Sequence, residues 1–194
     1  MNMQIGVLAL QGAFAAHSDC LTSIGVQSIE VRTPEQLSFV DALLMPGGES
    51  STMSQLLESS GLFDPISSRI ADGMPVFGTC AGMILLASEI LDGRSDQRNF
   101  AAIDISVRRN AFGRQVDSFE ATINSSVGDF HGVFIRAPRI ERVGDHVEVL
   151  GSFNDEPVLV RQGNVLAASF HPELSNDARL HEYFVSITAN KKKV

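Results

Sequence analysis

The sequence predicts a three-layer α/β fold: a mixed, mostly parallel sheet flanked by helices. Two observations carry this expectation. The first half of the chain alternates short apolar runs with segments of helical spacing, the pattern of parallel strands joined by crossover helices. The second half is a succession of strand-like runs, many parted by Gly, Asn and Asp turns and closed by one helix, so the sheet must also take in further strands. A chain of 194 residues has room for one sizeable core. The expected layout is a single domain over residues 1–190 with a basic tail over 191–194.

The elements follow in order. Gln4–Leu10 is an apolar run, read as a buried strand ended by Gln11-Gly12. Ala13–Ile24 carries Phe14, Ala15, Leu21 and Ile24 at helical spacing and stops at Gly25, a C-cap glycine. Val26–Val31 alternates like a strand. Pro34-Glu35-Gln36-Leu37 reads as a first helical turn with proline near its start. Ala42–Met45 is a short buried strand ended by Pro46-Gly47-Gly48-Glu49-Ser50-Ser51. Thr52–Leu57 and Phe63–Ile70 read as helices, the first ended by Gly61. Val76-Phe77 closes a buried strand, and Met83–Leu91 reads as a buried helix. Strands are expected at Ile103–Arg108, Ser118–Ile123, Val133–Ile135, Val147–Phe153, Pro157–Gln162 and Val165–Phe170, then a helix over Asp177–Ala189.

Composition narrows the function classes. A net charge of −8 argues against a nucleic-acid surface, and the basic cluster Lys191-Lys192-Lys193 reads as a solvated tail. No apolar run reaches membrane-spanning length, and the N-terminal apolar run lacks a preceding basic region, so it is expected to be a strand and the protein cytoplasmic. Cys20 and Cys80 are expected to be reduced, with Cys20 in the core on the apolar face of the first helix. His17, His131, His146 and His181 show no metal-ligand spacing, so no metal site is expected.

The chemistry concentrates in three short motifs. Gly78-Thr79-Cys80-Ala81-Gly82 has the form G-x-C-x-G at a strand-to-helix corner, the cysteine version of a nucleophile elbow. The helix following it directs N–H groups and its positive end at the thiol, which favours thiolate, and places Ala81 N–H to stabilise an oxyanion. A buried cysteine beside a glycine-rich turn is the competing reading. His171, in Ser169-Phe170-His171-Pro172-Glu173-Leu174, follows a predicted strand of the same sheet. In an extended segment Glu173 faces the same way as His171, so it could orient the imidazole; a plain surface turn is the alternative. Gly47-Gly48 after a buried strand permits backbone N–H groups to face a ligand, with Gly48 as a second oxyanion donor. That segment lacks the lysine of a Walker loop, and it also reads as a capping turn with Ser50 or Ser51 as N-cap.

"PGGES", "GTCAG" and "SFHPE", in this order and spacing, resemble the triad-type (class I) glutamine amidotransferase domains. "IGVLALQGAFAAH", "NAFGRQVDSFE" (Asn110 to Glu120) and "GVFIRAP" (Gly132 to Pro138) narrow the resemblance to the glutaminase subunits of pyridoxal 5′-phosphate synthases. The resemblance spans nearly the whole chain and weakens at 92–102, at 124–129 and in the lysine tail. It implies a flavodoxin-like sheet and hydrolysis of L-glutamine to glutamate and ammonia, with Cys80 as nucleophile, His171 as acid–base and Glu173 as its orienting carboxylate. It implies an oxyanion hole from Gly48 and Ala81, and glutamine binding by Gly48, Glu49, Ser50, Arg109, Ile135 and Arg136. Residue chemistry alone does not single out Arg109 from Arg108 or Arg114, although a guanidinium suits an α-carboxylate. The resemblance further implies no cofactor, a synthase subunit that receives the ammonia through a channel, and Gln11 near the contact with that partner. Asp117 and Glu120 read as structural or interface charges. Other readings are a glutaminase serving a different synthase, a cysteine peptidase or γ-glutamyl hydrolase, and a scaffold that keeps the fold without the chemistry.

Overall fold

The computed structural model describes residues 3–109 and 118–191. Asp117 and most of the Asn110-to-Glu120 motif therefore lie outside the described residues, as do Lys192 and Lys193.

The order is β1 (Ile5–Leu8), α1 (Phe14–Ser23), β2 (Ser28–Val31), α2 (Pro34–Ser38), β3 (Ala42–Met45), α3 (Ser50–Ser59), α4 (Phe63–Ala71), β4 (Val76–Thr79) and α5 (Ala81–Leu86). Then come β5 (Ala87–Ile90), β6 (Ile103–Arg108), β7 (Phe119–Ser125), β8 (Phe130–Phe134), β9 (Arg139–Val143), β10 (Glu148–Phe153), β11 (Glu156–Gln162), β12 (Val165–Ala168), a 3-10 turn (Pro172–Leu174) and α6 (Arg179–Lys191). Local chemistry explains several boundaries. Thr33 and Gln36 form a reciprocal capping box at α2, with Pro34 in the first turn. Gly25 follows α1 at φ 76, a conformation glycine adopts without a Cβ penalty.

Nine strands form the main sheet in the order β2-β1-β3-β4-β12-β11-β10-β7-β8. The first five are parallel to one another; β11, β10, β7 and β8 are added antiparallel. Alternation along the central strands sends side chains to two separate cores. Leu43, Met45, Val76 and Ala167 face one core with Leu57, Phe63 and Ile66 from α3 and α4. Leu44, Phe77, Leu166 and Ala168 face the other with Leu21 of α1 and Leu180 and Phe184 of α6.

Three features differ from the sequence reading. The helix expected over Met83–Leu91 stops at Leu86, and Ala87–Ile90 is strand β5. It pairs with β6, which pairs with β9, in a separate three-stranded sheet. β9 lacks the sequence pattern of a core strand: "RIERV" buries only Ile140 and shows charge where a core strand shows apolar residues. Finally, Lys191 closes α6 rather than opening a tail, its ammonium donating to Asp72 O at 3.3 Å.

Candidate active site

The corner after β4 is a strained elbow. Cys80 has φ 48 and ψ −104, a backbone conformation that costs a non-glycine residue about 1–3 kcal/mol. Neighbouring elements hold it there: Cys80 N–H donates to Ala168 O of β12 at 2.8 Å, and α5 begins at once with Ala81. The flanking glycines permit close approach. A Cβ on Gly78 would stand 2.6 Å from Gly82 C and from Leu86 Cδ1, and one on Gly82 would stand 2.2 Å from Met45 O. As the first residue of α5, Ala81 has an N–H without an intrahelical acceptor.

β12 lies beside β4, parallel, with Ala168 opposite Thr79, so both chains leave the sheet at the same edge. His171 arrives there, its N–H donating to Val133 O at 2.8 Å. Its Nδ1 is 2.8 Å from Glu173 Oε1, which leaves Nε2 for the Cys80 side. The route differs from the one the sequence suggested. Pro172–Leu174 is a 3-10 turn, not an extended segment, and Glu173 reaches the ring because the turn folds its side chain back. Burial by itself would lower the His171 pKa, but hydrogen bonds to Cys80 and Glu173 and their charges outweigh it and raise the value to about 10. Burial likewise opposes ionisation of Glu173, and the hydrogen bond from His171 overcomes that and lowers its pKa.

The third motif forms the facing wall. Gly47 lies on the His171 ring, and Gly48 lies under the Gln11 amide, whose Nε2 donates to Glu49 O at 2.8 Å. The N-cap of α3 is Glu49, not Ser50 or Ser51: its carboxylate accepts from Ser51 N–H at 3.0 Å and Thr52 N–H at 2.7 Å. Desolvation works against this anion, yet the hydrogen bonds from Thr52 and Ser51 prevail and hold its pKa at about 2. Arg109, just past β6, donates from Nη1 to Ser51 Oγ at 2.8 Å and from Nη2 to Asp92 O at 2.9 Å, with Glu49 Oε1 3.8 Å away.

These walls enclose a cavity of about 250 Å³, small enough to suit a single amino acid. Cys80, His171, Gly48, Glu49, Ser50, Arg109, Ile135 and Arg136 all line it. Glu173 stands behind His171, and Gln11 behind Gly48. Sequence reasoning missed Ser51 and Asp92 as the anchors of Arg109, and His17 and His181, which pack behind Glu173. Only folding joins those residues, and no local motif marks them. Cys20 is half-buried rather than core, with Sγ 3.9 Å from Glu173 O. Glu120 pairs with His131 at 2.7 Å on the surface.

The model of the SNO glutamine amidotransferase family matches residues 7–190. The chain belongs to this glutamine amidotransferase family. Among its relatives, the pyridoxal 5′-phosphate synthase subunit PdxT of Salinispora arenicola is 57% identical, aligned over 94% of this chain and 95% of the relative. The protein of the same name from Corynebacterium jeikeium is 55% identical over 97% and 98%. A crystal structure described as a glutamine amidotransferase superposes with a TM-score of 0.91 at 50% identity, covering 95% of this chain and 98% of that one. A more distant glutamine amidotransferase from Thermotoga maritima shares the fold, with a TM-score of 0.61 at 12% identity over 99% and 86%.

Proposed function

We propose that the chain is the glutaminase subunit of a pyridoxal 5′-phosphate synthase, hydrolysing L-glutamine through Cys80, His171 and Glu173. One observation carries the reading: the elbow cysteine and the carboxylate-held imidazole meet in the same amino-acid-sized cavity that Glu49, Arg109 and Arg136 line. Arg109 or Arg136 meets the substrate α-carboxylate, and the anionic Glu49 offers a counter-charge to its α-ammonium. The thiolate is the nucleophilic form of a cysteine, and His171 is the group beside the sulfur that carries the proton. The sulfur adds to the side-chain amide carbon, and Gly48 and Ala81 N–H groups receive the developing oxyanion. His171 protonates the leaving nitrogen, ammonia departs, and a thioester remains. Water then loses a proton to His171 as its oxygen attacks the thioester; glutamate leaves and the thiolate returns.

The relatives' names, each a subunit of a pyridoxal 5′-phosphate synthase, support a synthase subunit as the partner; in our reading it takes up the ammonia by a channel, with Gln11 near the contact. We read the enzyme as cytoplasmic; separately, among the described residues no helix is long and apolar enough to cross a membrane. We read residues 1–190 as one catalytic domain. The test is glutamate release from glutamine, with and without the cognate synthase subunit, for wild type and Cys80→Ala. Partner-stimulated release that vanishes in Cys80→Ala supports the reading; no release with the partner present, or release unchanged in Cys80→Ala, sinks it.

A further inference from the structure

Behind Glu173 lie two histidines that the proposed hydrolysis does not use. His17, on α1, and His181, on α6, are fully buried. His17 Nε2 is 3.3 Å from Glu173 Oε2 and 3.2 Å from Thr79 Oγ1, next to the nucleophile in sequence. His17 Nδ1 is 2.9 Å from His181 Nε2. Glu173 Oε1 is engaged by His171, whereas buried Oε2 has no hydrogen-bond partner among the described residues and is faced at ion-pair distance by His17 Nε2.

Charge assigns the protons. A carboxylate oxygen beside His17 Nε2 calls for an N–H there, so Nδ1 of the same ring is an acceptor and His181 Nε2–H must donate to it. His181 Nδ1, buried without a partner, is then a bare acceptor. The reverse assignment would bury an unpartnered N–H on His181 and set a lone pair against the carboxylate, which is costlier. Both rings are neutral, since burial outweighs the pull of Glu173 and lowers the pKa of His17 to about 3 and of His181 to about 4. His17 also feels the positive charge of His171, which acts in the same direction as burial.

We infer that His17 is a positioning residue: its Nε2–H holds Glu173 Oε2, so that Oε1 stays on His171 Nδ1, and His181 fixes His17 in the tautomer that can do so. This rests on the reading of Glu173 as the carboxylate of the triad. The histidines add no proton-transfer step of their own. They set the rotamer and the charge of the group that orients the base, and they connect α1 and α6 to the reacting edge of the sheet.

The test uses three variants, each in complex with the synthase subunit. His17→Leu fills the space without a donor, His17→Gln restores an N–H near the Nε2 position, and Glu173→Gln probes the triad itself. The expected result is a fall in kcat of about ten-fold or more for His17→Leu with KM little changed, and recovery of most of the loss in His17→Gln. The acid limb of the pH–kcat profile of His17→Leu should move to higher pH, because a carboxylate without its donor protonates more readily. Wild-type kcat and pH profile in His17→Leu, with only a lower Tm, would reduce the histidines to core filler. Wild-type kcat in Glu173→Gln would instead remove the triad reading underneath. Nitrogen-15 NMR of histidine-labelled wild type decides the matter even where His17→Leu fails to fold. A His17 ring protonated at Nε2 near neutral pH is expected, and one protonated at Nδ1 overturns the inference.

Discussion

Gly47 lies against the imidazole of His171 so closely that a Cβ built on it would stand 2.4 Å from Cε1 and 3.1 Å from Nδ1. The glycine is therefore a wall of the imidazole's slot, and its missing side chain lets the ring stand between Glu173 and Cys80. Gly47→Ala should push the ring out of line while leaving both hydrogen-bonding partners in place. The expected outcome is a loss of about 10²-fold in kcat for glutamate release, of the order a displacement of one ångström produces, with the fold retained by circular dichroism.

Gly82 makes the complementary approach on the other side of the elbow. A Cβ there would meet Met45 O at 2.2 Å, so α5 must move off β3. Gly82→Ala should destabilise the chain by about 1–3 kcal/mol, since a backbone oxygen cannot swing away as a flexible side chain can. Thermal unfolding reads this as a lower Tm, by about 2–4 °C for each kcal/mol in a chain of this size.

Arg109 is held by two donations in fixed directions, to Ser51 Oγ and to Asp92 O. A lysine keeps the charge and loses the fork. Arg109→Lys should raise KM for glutamine by about 10–100-fold, the range expected for losing charge-assisted hydrogen bonds, and leave kcat nearly unchanged. An unchanged KM would place glutamine's carboxylate elsewhere, with Arg136 as the next candidate.

The buried histidines also set the pH dependence of stability. His17 and His181 have pKa values of about 3 and about 4 in the folded chain, below the ordinary value of 6.5. Their contribution is thus fully present above the unfolded value. It is lost as pH falls, because the unfolded chain takes up protons that the folded chain refuses. His171 works in the opposite direction: with its pKa raised to about 10, its contribution is fully present below 6.5 and is lost as pH rises through the folded value. Tm should therefore fall on both sides of neutrality. Replacing His17 by Gln should flatten the acid side, and replacing His171 by Asn the alkaline side. A Tm independent of pH between about 4 and 7 would contradict the acid limb.

The parts legible in the sequence were those where a local rule decides structure. The elbow was readable because only small residues tolerate the approaches at Gly78 and Gly82, and the parallel half because buried strands and crossover helices alternate. The run Met83–Leu91 misled because a buried helix and a buried strand present the same apolar composition, and nothing in it marks the change at Ala87. The His171–Glu173 pair was expected for the wrong geometric reason, since Pro172 starts a 3-10 turn rather than extending the strand. Glu49 took the capping role given to Ser50 or Ser51 because a longer carboxylate can accept two backbone N–H groups at once. His17 and His181 stayed hidden because their pairing depends on where α1 and α6 land.

β12 is the last strand to be made, yet it lies in the middle of the main sheet, between β4 and β11. It brings the acceptor for the Cys80 amide and leads directly to His171. A chain broken off before residue 165 would retain the cysteine and every strand before it, but neither the acceptor that holds the Cys80 amide nor His171. An unfinished polypeptide thus carries the thiol without the imidazole, and the two come together only once β12 takes its place beside β4.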